Sequence, residues 1–579
     1  MTRLGSVSLE MPTDLRGPRV EPLHLQPTTP KQRGITRLTV DIPDATKPSS
    51  LSSRPSRWRT PEFVVYGVVF LVVVPLMVWI PVSLSSTSHA NYPVYHRKLS
   101  PGWLFGRQVD NSDHQYRTFR NNVPVLTLLV TIFLGSKAAY TFFVPQHATR
   151  YQTGSHLIPF FLTFSLILLS ALHGISILKI LAIISLNYYI AKNTAASKFG
   201  PILTWTFNIC VLFANEWFSG YQFAAIHPSL NYLDNLSGIL PRWHINFNIS
   251  MLRLIAFNMD YYWARNQSGT VDNREELNHK QRTRTSHPLE LYSYQNYVAY
   301  ILYPPLYLAG PIMTFNDFLW QLRRPTQRDL RGLLGYFVRF LVCVLTLEFI
   351  LHFMYMMAIK DTRAWDGNSA AEIGMIGFWN LAIVWLKLLV PWRFFRLWAL
   401  ADGIDPPENM VRCVANNYSV LGFWRAWHRS YNLWIVRYIY IPLGGTNNVI
   451  LTTILVFTFV ALWHDLSFKL LIWGWLASLF FIPELTARYL LPARKFGDKP
   501  WYRHVCAVGA VGNLLMLMTA NLVGFVIGID GVGYMISKLF SGWDGIRFLG
   551  TACLCLFIAV QVMFEYREEE MRKGIYRRC

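Results

Sequence analysis

The sequence predicts an all-α, polytopic membrane protein built as a bundle of helices, and two observations carry that reading. Hydrophobic residues make up 52% of the 579-residue chain, and aromatics are as frequent as charges, a composition suited to lipid. Apolar stretches that approach the roughly 20 residues a helix needs to cross a bilayer recur from Phe63 to Leu84 through to the segment around Cys553.

The elements follow in order. Met1 to about Thr60 is rich in Pro, Ser, Thr and Arg and lacks apolar periodicity, so residues 1–60 read as a disordered basic tail. No short apolar core with a cleavage site precedes the first span, which must itself act as signal anchor. Residues 61–579 then form one membrane domain. After Phe63 to Leu84, apolar stretches run Val123 to Val144, Leu157 to Tyr189, Ile202 to Phe218, Phe247 to Tyr262 and Tyr294 to Pro311. Further stretches run Leu333 to Met357, Ile373 to Leu400, Val449 to Trp463, Leu466 to Tyr489, Val505 to Ile529 and Phe548 to Phe564. Together they predict roughly 11–13 membrane-embedded segments. Phe247 to Tyr262 carries Arg253 and Asp260, and Val449 to Trp463 is brief, so both are expected to be re-entrant. No internal repeat of paired broken helices appears, which disfavours an inverted-repeat transporter.

The net charge of +21 does not indicate nucleic acid, because the basic residues are scattered between apolar spans without a compact patch. Cytoplasmic loops explain it better. Arg567, Arg572, Lys573, Arg577 and Arg578 follow the last span, and Arg494, Lys495, Lys499 and Arg503 precede the one before it, which puts both ends of that hairpin in the cytoplasm. Counting back one crossing places Trp463, His464 and Asp465 near the lumenal face. The seven cysteines show no metal-ligand spacing, and neither a disulfide framework nor a structural zinc is expected.

Chemistry is expected between about residues 401 and 466, where a polar, aromatic, helix-interrupted stretch sits between apolar blocks. Phe423 to Trp434 places Trp424, His428 and Tyr431 on one face of a helix, with Arg425 and Arg429 beside them. The alternative is an interfacial helix with its arginines on lipid phosphates. Pro442, Gly444 and Gly445 break the chain next, and His464 then ends an apolar run. A single histidine there would be structural more often than catalytic. Two histidines flanking a broken connection suit general-base chemistry, since a neutral imidazole can accept a hydroxyl proton. The chain has no nucleophile elbow, P-loop or paired-histidine zinc helix, which disfavours serine hydrolases, nucleotide hydrolases and zinc proteases. Lys137, Arg253 and Asp260 lie at possible membrane depth, where a buried ion pair or a snorkelling lysine is the common explanation.

His428 and His464 resemble the paired positions of the membrane-bound O-acyltransferase (MBOAT) superfamily. The resemblance extends through Tyr303 to Phe318, Trp398 to Met410 and Asp113 to Asn122, and it points to the fungal glycerol uptake protein branch. It implies a helical bundle around a substrate tunnel, multi-pass in the endoplasmic reticulum membrane. The implied activity moves a long-chain acyl group from acyl-CoA, a co-substrate with no bound cofactor or metal, to the lyso-lipid of glycosylphosphatidylinositol (GPI) anchors. The related hedgehog acyltransferases carry an aspartate where this chain has His428, which favours an oxygen acceptor here. Glycerol transport, protein acylation and an inactive scaffold are the competing readings.

On this reading His464 is the base and His428 orients a substrate, while Trp424, Arg425, Trp427, Arg429, Asn432 and Trp463 bind substrate. Arg425 and Arg429, or Arg393 and Arg396 upstream, are the expected partners of the coenzyme A phosphates. A tunnel would bring cytoplasmic acyl-CoA to the lumenal His464.

Overall fold

The computed structural model describes residues 55–144, 155–266, 277–324, 329–575 and 577. Residues 1–54 of the predicted tail, and Arg578 and Cys579, lie outside them. Among the described residues eight helices are long and apolar enough to cross a membrane: Pro61–Leu84, His114–Phe143, Ser155–Thr194, Leu330–Phe353, Ala370–Asp402, Phe468–Leu490, Tyr502–Val526 and Trp543–Arg572. The Ser155–Thr194 run folds at Gly174, whose φ of 55° suits glycine, into helices Ile158–His173 and Ile177–Thr194. The other predicted segments form helices that are shorter or more polar, including Gly200–Trp217, Trp243–Asn266 and Val449–His464. The described strands are Leu99–Pro101 and Gln108–Asp110, paired antiparallel with Leu99 opposite Asp110.

Trp243–Asn266 is one continuous 24-residue helix, with every residue from Ser250 to Tyr261 buried. Over that stretch it is enclosed by protein on all sides, so its polar residues there must find partners inside the chain. Arg253 donates to the carbonyls of Ile301 (2.7 Å) and Leu306. The reason is local. Pro305 cannot donate the helical bond that would satisfy Ile301, and the Pro304–Leu308 helix ends before Leu306 gains its partner. Gly310 closes this turn, where a Cβ would sit 2.4 Å from the Pro305 carbonyl.

Arg253 and Asp260 therefore do not pair with each other. Asp260 accepts from Arg437 (2.8 Å) and from the Tyr438 hydroxyl (3.0 Å). Lys137 pairs with the buried carboxylate of Asp402 and donates to the Asp402 carbonyl at 2.9 Å. The Tyr303 hydroxyl donates to the other Asp402 oxygen. Of the two explanations open for Lys137, the structure shows a buried ion pair and not a snorkelling lysine.

Candidate active site

The buried Trp243–Asn266 helix is the post on which the polar segment hangs. Trp434 Nε1 donates to the Leu252 carbonyl (2.8 Å) and Trp463 Nε1 to the Asn248 carbonyl (3.2 Å). Arg437 and Tyr438 reach Asp260 from a single π-helical turn, Val436–Tyr440. Widened turns of this kind recur at functional sites. The backbone then reverses through Gly444 (φ 99°) and Gly445 (φ 52°), as the sequence signals, and enters Val449–His464.

The stretch around His428 is not one helix. Val420–Ala426 stops, His428 takes a left-handed conformation (φ 43°, ψ 49°), and Arg429–Ile435 starts afresh. The expectation of a single amphipathic face through Trp424, His428 and Tyr431 is thereby corrected. Left-handed backbone costs a non-glycine residue about 1–2 kcal/mol and persists only where the surroundings impose it. Here Asn409 imposes it: its carbonyl accepts from Arg429 N (2.9 Å) and its Oδ1 from Ser430 N (3.2 Å). Ser430 Oγ accepts in turn from Ile312 N at 2.9 Å. At the start of the preceding helix, Glu484 accepts from Ser419 Oγ (2.6 Å) and Val420 N (2.7 Å), satisfying an otherwise orphaned helical donor.

Aromatic rings connect the two histidines. His428 lies flat against Trp392, ring centroids 4.6 Å apart and planes 12° from parallel, and its other neighbour is Tyr431 at 5.2 Å. Tyr431 packs on Trp463 (4.6 Å) and meets His464 edge-on at 6.4 Å. Trp463, Trp473 and Phe525 complete the ring set around His464, at 4.9, 6.2 and 6.4 Å. The Val449–His464 and Phe468–Leu479 helices meet closely at Gly474, where a Cβ would lie 2.8 Å from the Phe457 carbonyl.

Both histidines open onto one cavity of about 1730 Å³. Its walls are chiefly Val, Leu, Phe, Met and Trp, drawn from helices as distant in sequence as Pro61–Leu84 and Trp543–Arg572. Pockets for one small ligand occupy about 300–1,000 Å³, so this volume has room for two substrates, one of them a long apolar chain. The accessible surface of His464 faces this cavity.

Of the residues singled out by sequence, His428, His464, Trp424, Arg425, Trp427, Asn432 and Trp463 share that cavity, and Arg429 does not line it. Arg393 is buried and donates to Cys343 Sγ (2.9 Å). Arg396 is committed to Asp405 (2.6 Å) and the Pro406 carbonyl (2.9 Å). Trp392, Tyr431 and Trp473 also belong to the site. Among the described residues no group of three or more His, Cys, Asp or Glu could hold a metal ion.

A cavity of this kind, reached by two histidines within a helical membrane bundle, is the architecture expected of an enzyme acting on lipids. The model of the MBOAT, membrane-bound O-acyltransferase family matches residues 199–529, a span containing both histidines and the buried post. The membrane-bound O-acyltransferase GUP1 of Saccharomyces cerevisiae is 47% identical over 552 residues, covering 93% of this chain and 96% of the relative. That of Candida tropicalis is 46% identical over 536 residues, 90% of each chain. The protein-cysteine N-palmitoyltransferase HHAT of Mus musculus is 30% identical over 270 residues, 44% of this chain and 54% of the relative. The chain belongs to the MBOAT family and is an acyltransferase.

Proposed function

We infer that this enzyme transfers a long-chain acyl group from acyl-CoA to a hydroxyl of a lipid acceptor, the lyso-lipid of GPI anchors, in the endoplasmic reticulum membrane. The observation that carries the reading is the convergence of His428 and His464 on one large, chiefly apolar cavity. His464 takes the acceptor proton as the hydroxyl oxygen attacks the thioester carbonyl carbon. The C–S bond then breaks, and the proton passes from the imidazolium to the departing thiolate, leaving an ester and free coenzyme A. No acyl-enzyme is required, because the thioester is already activated. His428, held by Trp392 and by its own backbone, orients a substrate. Alignment of the reactants together with base assistance of about 100-fold or more supplies the acceleration.

Of Arg393, Arg396, Arg425 and Arg429, Arg425 is the one that lines the cavity, and it is assigned to the phosphates of coenzyme A. Trp424, Trp427, Asn432 and Trp463 shape the same wall. Arg429, outside the lining, acts through the backbone that sets His428. The lumenal placement of His464 rests on the distribution of basic residues about the last two spans.

The test is acyl transfer by purified protein in lipid nanodiscs, supplied with palmitoyl-CoA and either lyso-GPI, lyso-phosphatidylinositol or a cysteine-terminated peptide. Ester formation on lyso-GPI in preference to the others supports the assignment. Acylation of the peptide alone, or proton-coupled glycerol flux without acyl transfer, refutes it.

A further inference from the structure

Four residues that line the cavity each carry a buried polar atom with no hydrogen-bond partner: Trp385 Nε1, Trp424 Nε1, Tyr431 Oη and Trp473 Nε1. All four can donate, and the three indoles can do nothing else. A buried unpaired donor costs about 1–3 kcal/mol, so four around one cavity need an explanation that a structural role does not give. A ligand atom that accepts hydrogen bonds supplies one. Of the four, the Tyr431 ring alone touches both histidines, at 5.2 Å from His428 and 6.4 Å from His464. The residue is 4% exposed, and its ring is locked against Trp463 and Trp434.

We propose that the Tyr431 hydroxyl donates a hydrogen bond to the carbonyl oxygen of the acyl thioester and stabilises the oxyanion formed when the acceptor attacks. This rests on the acyl-transfer reading above and adds a catalytic residue to it. The acceptor hydroxyl must give its proton to His464, so it has no need of a second donor. The thioester carbonyl, in contrast, offers only lone pairs and gains negative charge as the new O–C bond forms. Tyr431 keeps its proton throughout. When the tetrahedral intermediate collapses, the electrons return to the C=O bond, C–S breaks, and the hydrogen bond weakens to its starting strength. A fixed donor in a water-poor site needs no reorganisation as the charge develops, which is where such groups have their largest effect. Trp424 and Trp473, 5.7 Å apart by ring centroids, line the same cavity.

Tyr431→Phe removes one oxygen and leaves the ring packing in place. With palmitoyl-CoA and lyso-phosphatidylinositol as probes, kcat is expected to fall by about 100-fold with an unchanged KM for palmitoyl-CoA and an unchanged melting temperature. A second measurement needs no acceptor and no turnover. Palmitoyl-CoA labelled with ¹³C at the carbonyl is bound to His464→Ala protein and to the His464→Ala, Tyr431→Phe double variant, and the carbonyl band is compared by difference infrared spectroscopy. A band at lower frequency only when Tyr431 is present supports the hydrogen bond, and identical bands overturn it. An unchanged kcat in Tyr431→Phe overturns the oxyanion role even where the bands differ. Full turnover by His464→Ala would instead sink the acyl-transfer mechanism itself.

Discussion

Trp392 lies face to face with His428, 4.6 Å between ring centroids and 12° between planes, although the two residues come from different elements. Trp392 sits within the Ala370–Asp402 helix, next to Pro391, while His428 occupies the break between two short helices. The stack fixes the imidazole plane that the strained backbone presents, so the two constraints act together. Aromatic contacts of this type are worth about 0.5–1.5 kcal/mol, the scale of a tenfold change in rate. Trp392→Ala is expected to lower kcat for acyl transfer by about tenfold, and Trp392→Phe to retain most of it. Steady-state kinetics beside a melting curve separates this from a loss of folding.

Lys137 and Asp402 form a desolvated pair inside the bundle, joined by Tyr303. Removing one partner strands the other's charge, at a cost of about 3–5 kcal/mol. Lys137→Met and Asp402→Leu alone are each expected to unfold the protein at markedly lower temperature, and the double variant to recover most of that loss. Thermal denaturation in detergent monitored by tryptophan fluorescence gives the comparison.

His287, in the loop before Tyr294–Ile301, bonds through Nε2 to the Asn316 carbonyl (2.9 Å). Burial pushes its imidazole down to about 4 against the opposing pull of that carbonyl, and Arg323 and Arg324 add to the downward shift. In the folded protein the ring stays neutral where the unfolded chain's ring already takes a proton. Stability is therefore unaffected by this group above about pH 6.5 and falls as the pH drops from there toward about 4, by about 3 kcal/mol in all. His287→Gln is expected to flatten that slope in melting temperature measured between those limits.

Arg425 lines the cavity, and Arg396 does not. Arg425→Glu is expected to raise the KM for palmitoyl-CoA by about tenfold while leaving the KM for the lipid acceptor unchanged, as charge reversal at a phosphate contact should. Initial rates over a matrix of both substrates decide it.

The helical membrane bundle was legible in the sequence because apolar runs report directly on the solvent a helix must meet. The break at Pro442 to Gly445 was legible for the same kind of reason, since proline and glycine act locally. The break at His428 was not. Nothing about a histidine between aromatic residues announces a left-handed backbone, which here comes from Asn409, a partner that only the folded chain brings near. Trp392 and Trp473 escaped notice because a tryptophan in an apolar helix looks like packing until its neighbour is known. The buried course of Trp243–Asn266 was hidden by Arg253 and Asp260, whose partners at Ile301, Leu306 and Arg437 lie far along the chain.

The most direct test of the account is the release of coenzyme A thiol from palmitoyl-CoA, in the presence of lyso-GPI, by wild-type protein and His464→Ala matched for folding and for donor binding. The expected result is intact palmitoyl-CoA binding with thiol release slowed at least about 100-fold in the variant. Thiol release at the wild-type rate by His464→Ala would contradict the assignment of His464 as the base and, with it, the mechanism built on this cavity.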